Sequence, residues 1–376
     1  MSEYQYYEFQ AIDRQLTERQ MRELRAISSR ATISRTRFSN FYTYGDLKAN
    51  PRDLLVQYFD ASLSFAHWFY VELAFRFPKT AVDVRELRRY AAGQSLDVHS
   101  TGGNVVVAVA VERDDFHSDD DGQSWLSSLT AIRADIAGGD ARALYFAWLL
   151  DVQSGEIDDD VVEPARPDGL GSLSPALDSF IDVMGLDRDL VVAAAEGSRQ
   201  TSEPPPVKDI GRWLATFDEH EKVALLTRAA CGETGLAAEL MRRFRRQEPG
   251  REASRTLRAA GALRARAEEL GEQRRQVIFA RQAKERMRRE RAQTAAHERH
   301  LSTLAKRQAD AWRRVEALVI TKRPGDYDAA ITLLKDLREI GQRKGQTEKV
   351  AERIRALREA HPKKPSFLAR MRKAGF

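Results

Sequence analysis

A single cysteine, Cys231, among 376 residues excludes an intramolecular disulfide framework and a cysteine-rich zinc site, and makes a reducing cytoplasm the expected compartment. No segment carries a Gly-rich phosphate loop, an HExxH helix or a nucleophile elbow. Nucleotide-dependent, zincin and hydrolase chemistries therefore lack a signature, and neither cofactor nor metal is expected. The opening MSEYQYYEF lacks the basic-then-apolar pattern of a secretory signal. The most apolar run, Leu54 to Phe77, has the length of a bilayer span but contains Asp60, His67, Glu72 and Arg76. Each is costly in hydrocarbon, which makes this a core element and not a membrane crossing. Proline is missing from Pro249 to Pro324, so nothing of that kind interrupts a long helix there.

What is present is charge. Lys, Arg, Asp and Glu make up 31% of the chain, against about 25% in typical globular domains, which fits solvated helices. The net charge of +5 conceals a separation. Residues 101–200 hold 6 Lys/Arg against 20 Asp/Glu, a net −14, while residues 251–376 hold 33 against 16, a net +17. The basic character belongs to the C-terminal third.

Along the chain, the aromatic-rich stretch Tyr4 to Ile12 predicts a strand. Thr17 with Gln20 three residues on forms a capping box that starts a helix, with Leu16 and Met21 placed as a hydrophobic staple. The alternation in ATISRTRF, Ala31 to Phe38, predicts a second strand. Asn50-Pro51 then opens a long apolar helix that Pro78 ends. On such a helix Asp53, Gln57, Asp60, Ser64 and His67 share one stripe. It is either the solvated edge of a core helix or a cleft in which Asp60 and His67, about 10 Å apart along the axis, face a ligand. Asp46 and Lys48, in the Gly45-Asp46-Leu47-Lys48 loop, are the other candidates for such a site.

A short helix over Val82 to Ala92 precedes a hairpin, Ser95–Ser100 and Asn104–Glu112, turned at Thr101-Gly102-Gly103. The acidic stretch around His117 imitates a calcium loop in Asp119, Asp121 and Gln123. However, Ser124 and Thr130 occupy the positions that need glycine and glutamate, which leaves an exposed acidic loop. Helices are expected over Gln123–Ala137, Ala141–Val152, Pro175–Met184 and Asp187–Ala195. The stretch Gly197 to Val207, with Pro204-Pro205-Pro206, reads as a linker to a small helical cluster.

From Arg251 to Val319 the chain is Arg-rich. Positions 263, 267, 270, 274, 277, 281 and 284 have heptad spacing, but Arg274, Arg281 and Lys284 among them are too polar for a sustained coiled-coil seam. Met287 is the one large apolar residue between Phe279 and His300. Arg281, Lys284, Arg288 and Arg291 form a continuous basic stripe at helical spacing. Gly261 and Gly271 each cost about 1 kcal/mol relative to alanine, so a broken helix is expected. Beyond it, Leu301 to Leu318, Tyr327 to Ile340 and Val350 to Leu357 predict three helices closing into a bundle. The tail from His361, with Lys363, Lys364, Arg370, Arg372 and Lys373 around Phe367 and Leu368, reads as an adhesive end.

The expected fold is α+β and predominantly helical. An N-terminal mixed domain with a small antiparallel sheet runs to about residue 200, and a linker with a small helical cluster follows to 250. A basic helical arm covers 251–300, a terminal three-helix bundle 301–360 and a basic tail 361–376. Truncation at Pro249 is expected to leave a folded body.

Three functions compete. A non-catalytic interaction or scaffold protein would use Arg281, Lys284, Arg288 and Arg291 to bind an acidic protein partner or a second copy. Its bland counterpart is that the basic arm complements the acidic 101–200 segment. The same stripe would track a nucleic-acid backbone without sequence specificity, although Phe279 alone offers stacking. An enzyme would have its site near Asp60, His67 and Asp46. His297 and His300 lie three residues apart, as metal ligands can, but the sequence offers no third ligand. Membrane-surface attachment is disfavoured because the arm lacks an apolar face.

The segments NPRDLLVQYFDA (Asn50 to Ala61), YFAWLLDVQSGEIDDDVVEP (Tyr145 to Pro164) and KRPGDYDAAITLLKDLRE (Lys322 to Glu339) resemble a full-length family of bacterial conserved proteins of unknown function. The resemblance implies that body and arm belong together; it implies no activity, cofactor or catalytic residue.

Overall fold

The computed structural model describes residues 4–67, 70–113, 121–198, 207–231, 236–246 and 257–376. The acidic loop around His117, the calcium-like Asp119 and the triple proline lie outside them. The chain forms two compact units, Met1–Arg274 and Arg275–Phe376.

The first unit has the expected α+β architecture. Its chain order is β1 (Gln5–Gln10), α1 (Glu18–Ile27), β2 (Thr32–Ile33), β3 (Arg37–Tyr42), α2 (Pro51–Tyr58), β4 (Ala61–Ala66), β5 (Tyr70–Pro78), α3 (Val84–Arg88), β6 (Leu96–Thr101) and β7 (Asn104–Glu112). Helices follow: α4 (Trp125–Leu129), α5 (Ala131–Ala137), α6 (Arg142–Ser154), α7 (Pro175–Met184), α8 (Arg188–Ala195), α9 (Val207–Ala215), α10 (Glu219–Ala230), α11 (Leu236–Arg246) and the first turns of α12 (Ala260–Lys306). The strands make one antiparallel sheet in the order β2-β3-β1-β4-β5-β7-β6.

The run expected as one long apolar helix is instead α2 followed by two central strands. The physical reason is that both faces of this sheet are covered. Leu63, Phe65, Val71, Leu73, Phe75, Val105 and Val107 pack towards α4–α8. Phe9, Phe38, Ala74, Val106 and Ala108 pack towards α1 and α2. Strands buried on both faces lose the apolar–polar alternation and read as continuous apolar runs. Local signals fared better. The Thr17–Gln20 capping box is present, and β6 and β7 form the hairpin with Gly102 at φ +55° in its turn.

Helix α12 runs unbroken from Ala260 to Lys306, so the expected break at Gly261 or Gly271 does not occur. Gly261 sits in the first turn where a Cβ would come within 2.8 Å of the Asp159 side chain, so close approach explains that glycine. The heptad-like start is explained by the first unit's own core: Ala260, Leu263 and Ala267 are buried in it and Leu270 packs against it.

The second unit contains the rest of α12 with α13 (Gln308–Ile320), α14 (Pro324–Arg343), α15 (Thr347–Ala360) and α16 (Pro365–Lys373). Trp312, Val315, Val319, Tyr327, Leu334, Leu337, Ile354 and Leu357 form its core. The tail is not a loose end: Phe367 and Met371, four residues apart on α16, are fully buried in that core. Lys364 Nζ donates to the Val319 carbonyl at 2.6 Å, and the Arg338 guanidinium lies 4.5 Å from the Phe376 ring centroid.

Candidate interaction surface on the long helix

The arginines of the basic arm divide into two groups with different fates. The first group anchors α12 in the acidic body. Residues 161–163 and 258–260 pair as a short antiparallel bridge: Glu163 N donates to Arg258 O at 2.8 Å and Ala260 N to Val161 O at 2.8 Å. At its centre the buried Glu163 carboxylate accepts from Tyr145 Oη (2.5 Å), Arg166 Nη2 (2.7 Å), Arg258 N (2.9 Å) and Arg258 Nε (3.1 Å). Burial pushes this carboxyl up, but the hydrogen bonds from Arg258 and Tyr145 outweigh it and hold Glu163 below the usual carboxylate range. The Tyr145 phenol is raised, first by burial and then by the Glu163 charge.

Arg258 also donates to the Ala193 and Ala194 carbonyls at 2.6 and 3.0 Å, and Arg264 to those of Val152 and Ile157 at 3.2 and 3.0 Å. These guanidiniums bind carbonyls at the C-terminal end of α8, at the end of α6 and in the turn after it, where a cation meets the negative end of the helix dipole. Arg264 pairs with Asp159, Arg266 with Glu196 at 2.7 Å and Arg274 with Asp189 at 2.7 Å. Part of the arm's charge therefore complements the acidic 101–200 segment within the chain.

The second group, the stripe of Arg281, Lys284, Arg288 and Arg291, is free of such partners among the described residues. Every side chain from 272 to 300 on α12 is exposed. Among the described residues none of Arg281, Lys284, Arg288 and Arg291 has an ion-pair partner, whereas Arg286 is held by Glu290 at 3.0 Å. At 1.5 Å and about 100° per residue, the four cations cover about 15 Å of axis within an arc of about 80°. They lie on the side of the helix away from Leu301, which is buried, and from His297 and His300. Met287 stands between Lys284 and Arg291 at helical spacing and is 53% exposed, and Val277, about one turn before Arg281 on the same side, is 68% exposed, whereas Phe279, 74% exposed, faces the opposite side. The sequence located the stripe but gave no sign that Val277 and Met287 stand in solvent beside it.

His297 and His300 serve the second unit's packing. His297 Nε2 lies 3.0 Å from Glu339 and His300 Nε2 2.9 Å from Asp336, both on α14, and Glu298 pairs with Arg343 at 2.8 Å. Each imidazole thus meets a different carboxylate. Among the described residues no group of three or more His, Cys, Asp or Glu is placed to hold a metal ion.

The candidate catalytic residues are not brought together. Asp60 is fully buried, where it pairs with Arg76 and accepts from Ile12 N at 2.6 Å and Asp13 N at 2.9 Å. It is a clamp between the end of β1 and β5. His67 follows the other end of β4 and lies against the rings of Tyr4 and Phe65, with centroids 5.0 and 5.4 Å away. Seven residues of mainly extended chain separate the pair by about 23 Å, where a helix would have left them about 10 Å apart. Asp46 accepts from Tyr7 Oη at 2.9 Å and from Leu47 N at 2.6 Å, and Lys48 is exposed.

No described helix is long and apolar enough to cross a membrane. Comparison with protein-family models, with curated proteins and with solved structures finds no match.

Proposed function

We propose that this is a non-catalytic interaction protein whose α12 binds an acidic protein partner through Arg281, Lys284, Arg288 and Arg291, with Met287 as an apolar anchor beside them. The observation that carries this reading is the contrast within one helix. Arg258, Arg264, Arg266 and Arg274 have carboxylate or carbonyl partners, whereas the stripe beyond has none among the described residues. Partner helices are commonly read through apolar anchors flanked by charge, and exposed Val277 and Met287 supply the apolar part. Two copies meeting stripe to stripe would repel. The acidic segment of a second copy is a poor substitute, because Asp159, Asp178, Asp182, Asp189 and Glu196 are already paired with arginines of their own chain. Glu285 and Glu290 within the stretch, together with its exposed apolar residues, favour protein over nucleic acid. The one free and exposed cysteine, Cys231, supports a reducing cytoplasm as the place of action.

The test is a pull-down with the intact chain and with a charge-reversed variant carrying Arg281→Glu, Lys284→Glu, Arg288→Glu and Arg291→Glu, each with and without nuclease. A specific protein should survive nuclease and bind the variant at least about 4-fold more weakly, given about 0.2–1 kcal/mol for each of the exposed ion pairs lost. A catch that disappears with nuclease transfers the stripe to nucleic acid. A protein retained equally by the variant overturns the assignment.

A further inference from the structure

A second site lies far from the stripe in sequence, on the sheet face that α1 and α2 cover. Strand register sets Tyr7, Ser64 and Glu72 in one row across β1, β4 and β5, and Gln5, Ala66 and Tyr70 in the next. Residues on one face of a row are side by side. The small Ser64 and Ala66 at the middle of each row leave a depression. Tyr7 and Tyr70 flank it, and Asn50, Pro51 and Arg52 at the start of α2 close one side, around a cavity of about 230 Å³. This falls below the roughly 300–1,000 Å³ of pockets for drug-sized ligands, so its occupant is a single small ring.

The polar groups decide the chemistry. Both charges are already matched: Arg52 pairs with Glu72 at 2.9 Å and with Asp97 at 2.6 Å. Both phenolic protons are committed as well, Tyr70 Oη to Glu72 at 2.7 Å and Tyr7 Oη to Gln5 and Asp46 at 2.7 and 2.9 Å. Into the cavity each phenol therefore offers oxygen lone pairs alone. Asn50 spends its side-chain oxygen on Arg52 N at 2.9 Å, which leaves its amide N–H groups as donors. Ser64, 8% exposed, lines the floor of the cavity, where its hydroxyl can both donate and accept.

Two acceptors, an amide donor and a hydroxyl that does both, set between two aromatic rings with the two charged lining residues, Arg52 and Glu72, paired to each other, match a molecule whose every polar group is itself donor and acceptor. We propose that this pocket binds a small neutral polyhydroxylated ring, a monosaccharide or cyclic polyol, through Ser64 Oγ, Tyr7 Oη, Tyr70 Oη and the Asn50 amide. An amine of the same size would meet the Arg52 cation and the positive end of α2, and a carboxylate would meet Glu72.

The test uses the intact chain with D-glucose, D-galactose, D-mannose, D-ribose and myo-inositol, and with cyclohexylamine and cyclohexanecarboxylate as charged rings of similar size. Ligand-observed NMR saturation transfer and calorimetric titration read the binding. At least one polyol should bind more tightly than both charged rings. Ser64→Leu, which fills the floor, should abolish that binding. Asn50→Asp, which keeps the cap oxygen of α2 and removes the amide donor, should weaken it about 5- to 10-fold, the usual range for one lost hydrogen bond. Circular dichroism melting of each variant establishes that the fold is retained. Binding of no polyol at millimolar concentration, tighter binding of a charged ring, or equal polyol binding by a folded Ser64→Leu variant overturns the proposal. If Ser64→Leu does not fold, Asn50→Asp decides alone, and unchanged affinity there counts against it.

Discussion

The backbone N–H of Arg258 points at the Glu163 carboxylate at 2.9 Å, and the Arg258 side chain reaches the same oxygen at 3.1 Å, although the two residues are 95 positions apart. One carboxylate thus fixes both the backbone and the side chain at the start of the long helix. It also neutralises the buried Arg166. Glu163→Gln leaves two guanidiniums without their counter-charge, and breaking such a buried pair from one side costs about 3–5 kcal/mol. Chemical denaturation should show that loss, and a shift below about 1 kcal/mol would mean that the hub is dispensable.

The same carboxylate gives a pH dependence whose sign is fixed. Glu163 titrates lower in the folded chain than its ordinary value, so its contribution is complete above about pH 4.3, the unperturbed glutamate value. The contribution is lost as pH falls through the folded value. Stability of the native chain should therefore drop below about pH 4.3 more steeply than that of Glu163→Gln. Parallel acid-unfolding curves for the two proteins would contradict this.

How far the first unit extends is a third test. Ala260 and Leu263 are fully buried in its core, so a chain ending at residue 274 keeps them and one ending at Pro249 does not. Removing Leu263 and the Arg258 contacts costs about 3 kcal/mol or more, equivalent to about 6–12 °C in a domain of this size. Thermal melts of the two truncations should differ by that margin.

Asp60 separates structure from catalysis. The carboxylate is buried against Arg76 and two backbone N–H groups, so Asp60→Asn should lower unfolding stability by about 3–5 kcal/mol. Any functional loss in that variant should track its folded fraction when temperature is varied. Function abolished while the folded fraction stays full would restore a direct role for Asp60.

The features legible in the sequence were those set by neighbours in the chain. The Thr17–Gln20 cap, the Thr101-Gly102-Gly103 turn and the helix over Pro175–Met184 depend on residues within one or two turns, and each was found at its place. The Leu54–Phe77 run misled because strands covered on both faces have no alternation, and a 24-residue apolar stretch has the length of a helix. Its aromatic content, with Phe65, Tyr70, Phe75 and Phe77, was the available hint of strand. Glu163 was out of reach. Only the opposed charges of residues 101–200 and 251–376 pointed towards a pairing, and totals do not say which residues meet. The pocket at Ser64 was equally hidden, since it exists only once β1, β4 and β5 are in register.

The exposed apolar residues of α12 provide the last prediction. Val277 and Met287 are 68% and 53% exposed, so Val277→Ser and Met287→Ser remove little from the folded state. Surface substitutions of this kind fall within about 0.5 kcal/mol of neutral. If these side chains serve only as helix surface, partner capture by the double variant should equal that of the native chain. If they anchor an acidic protein partner, capture should fall about 10-fold or more, as apolar residues central to an interface cost about 1–2 kcal/mol each when truncated. The two outcomes separate cleanly because stability is unaffected in both. A loss confined to the charge-reversed stripe, with Val277→Ser and Met287→Ser silent, would instead leave a purely electrostatic surface, the signature expected of a polyanion.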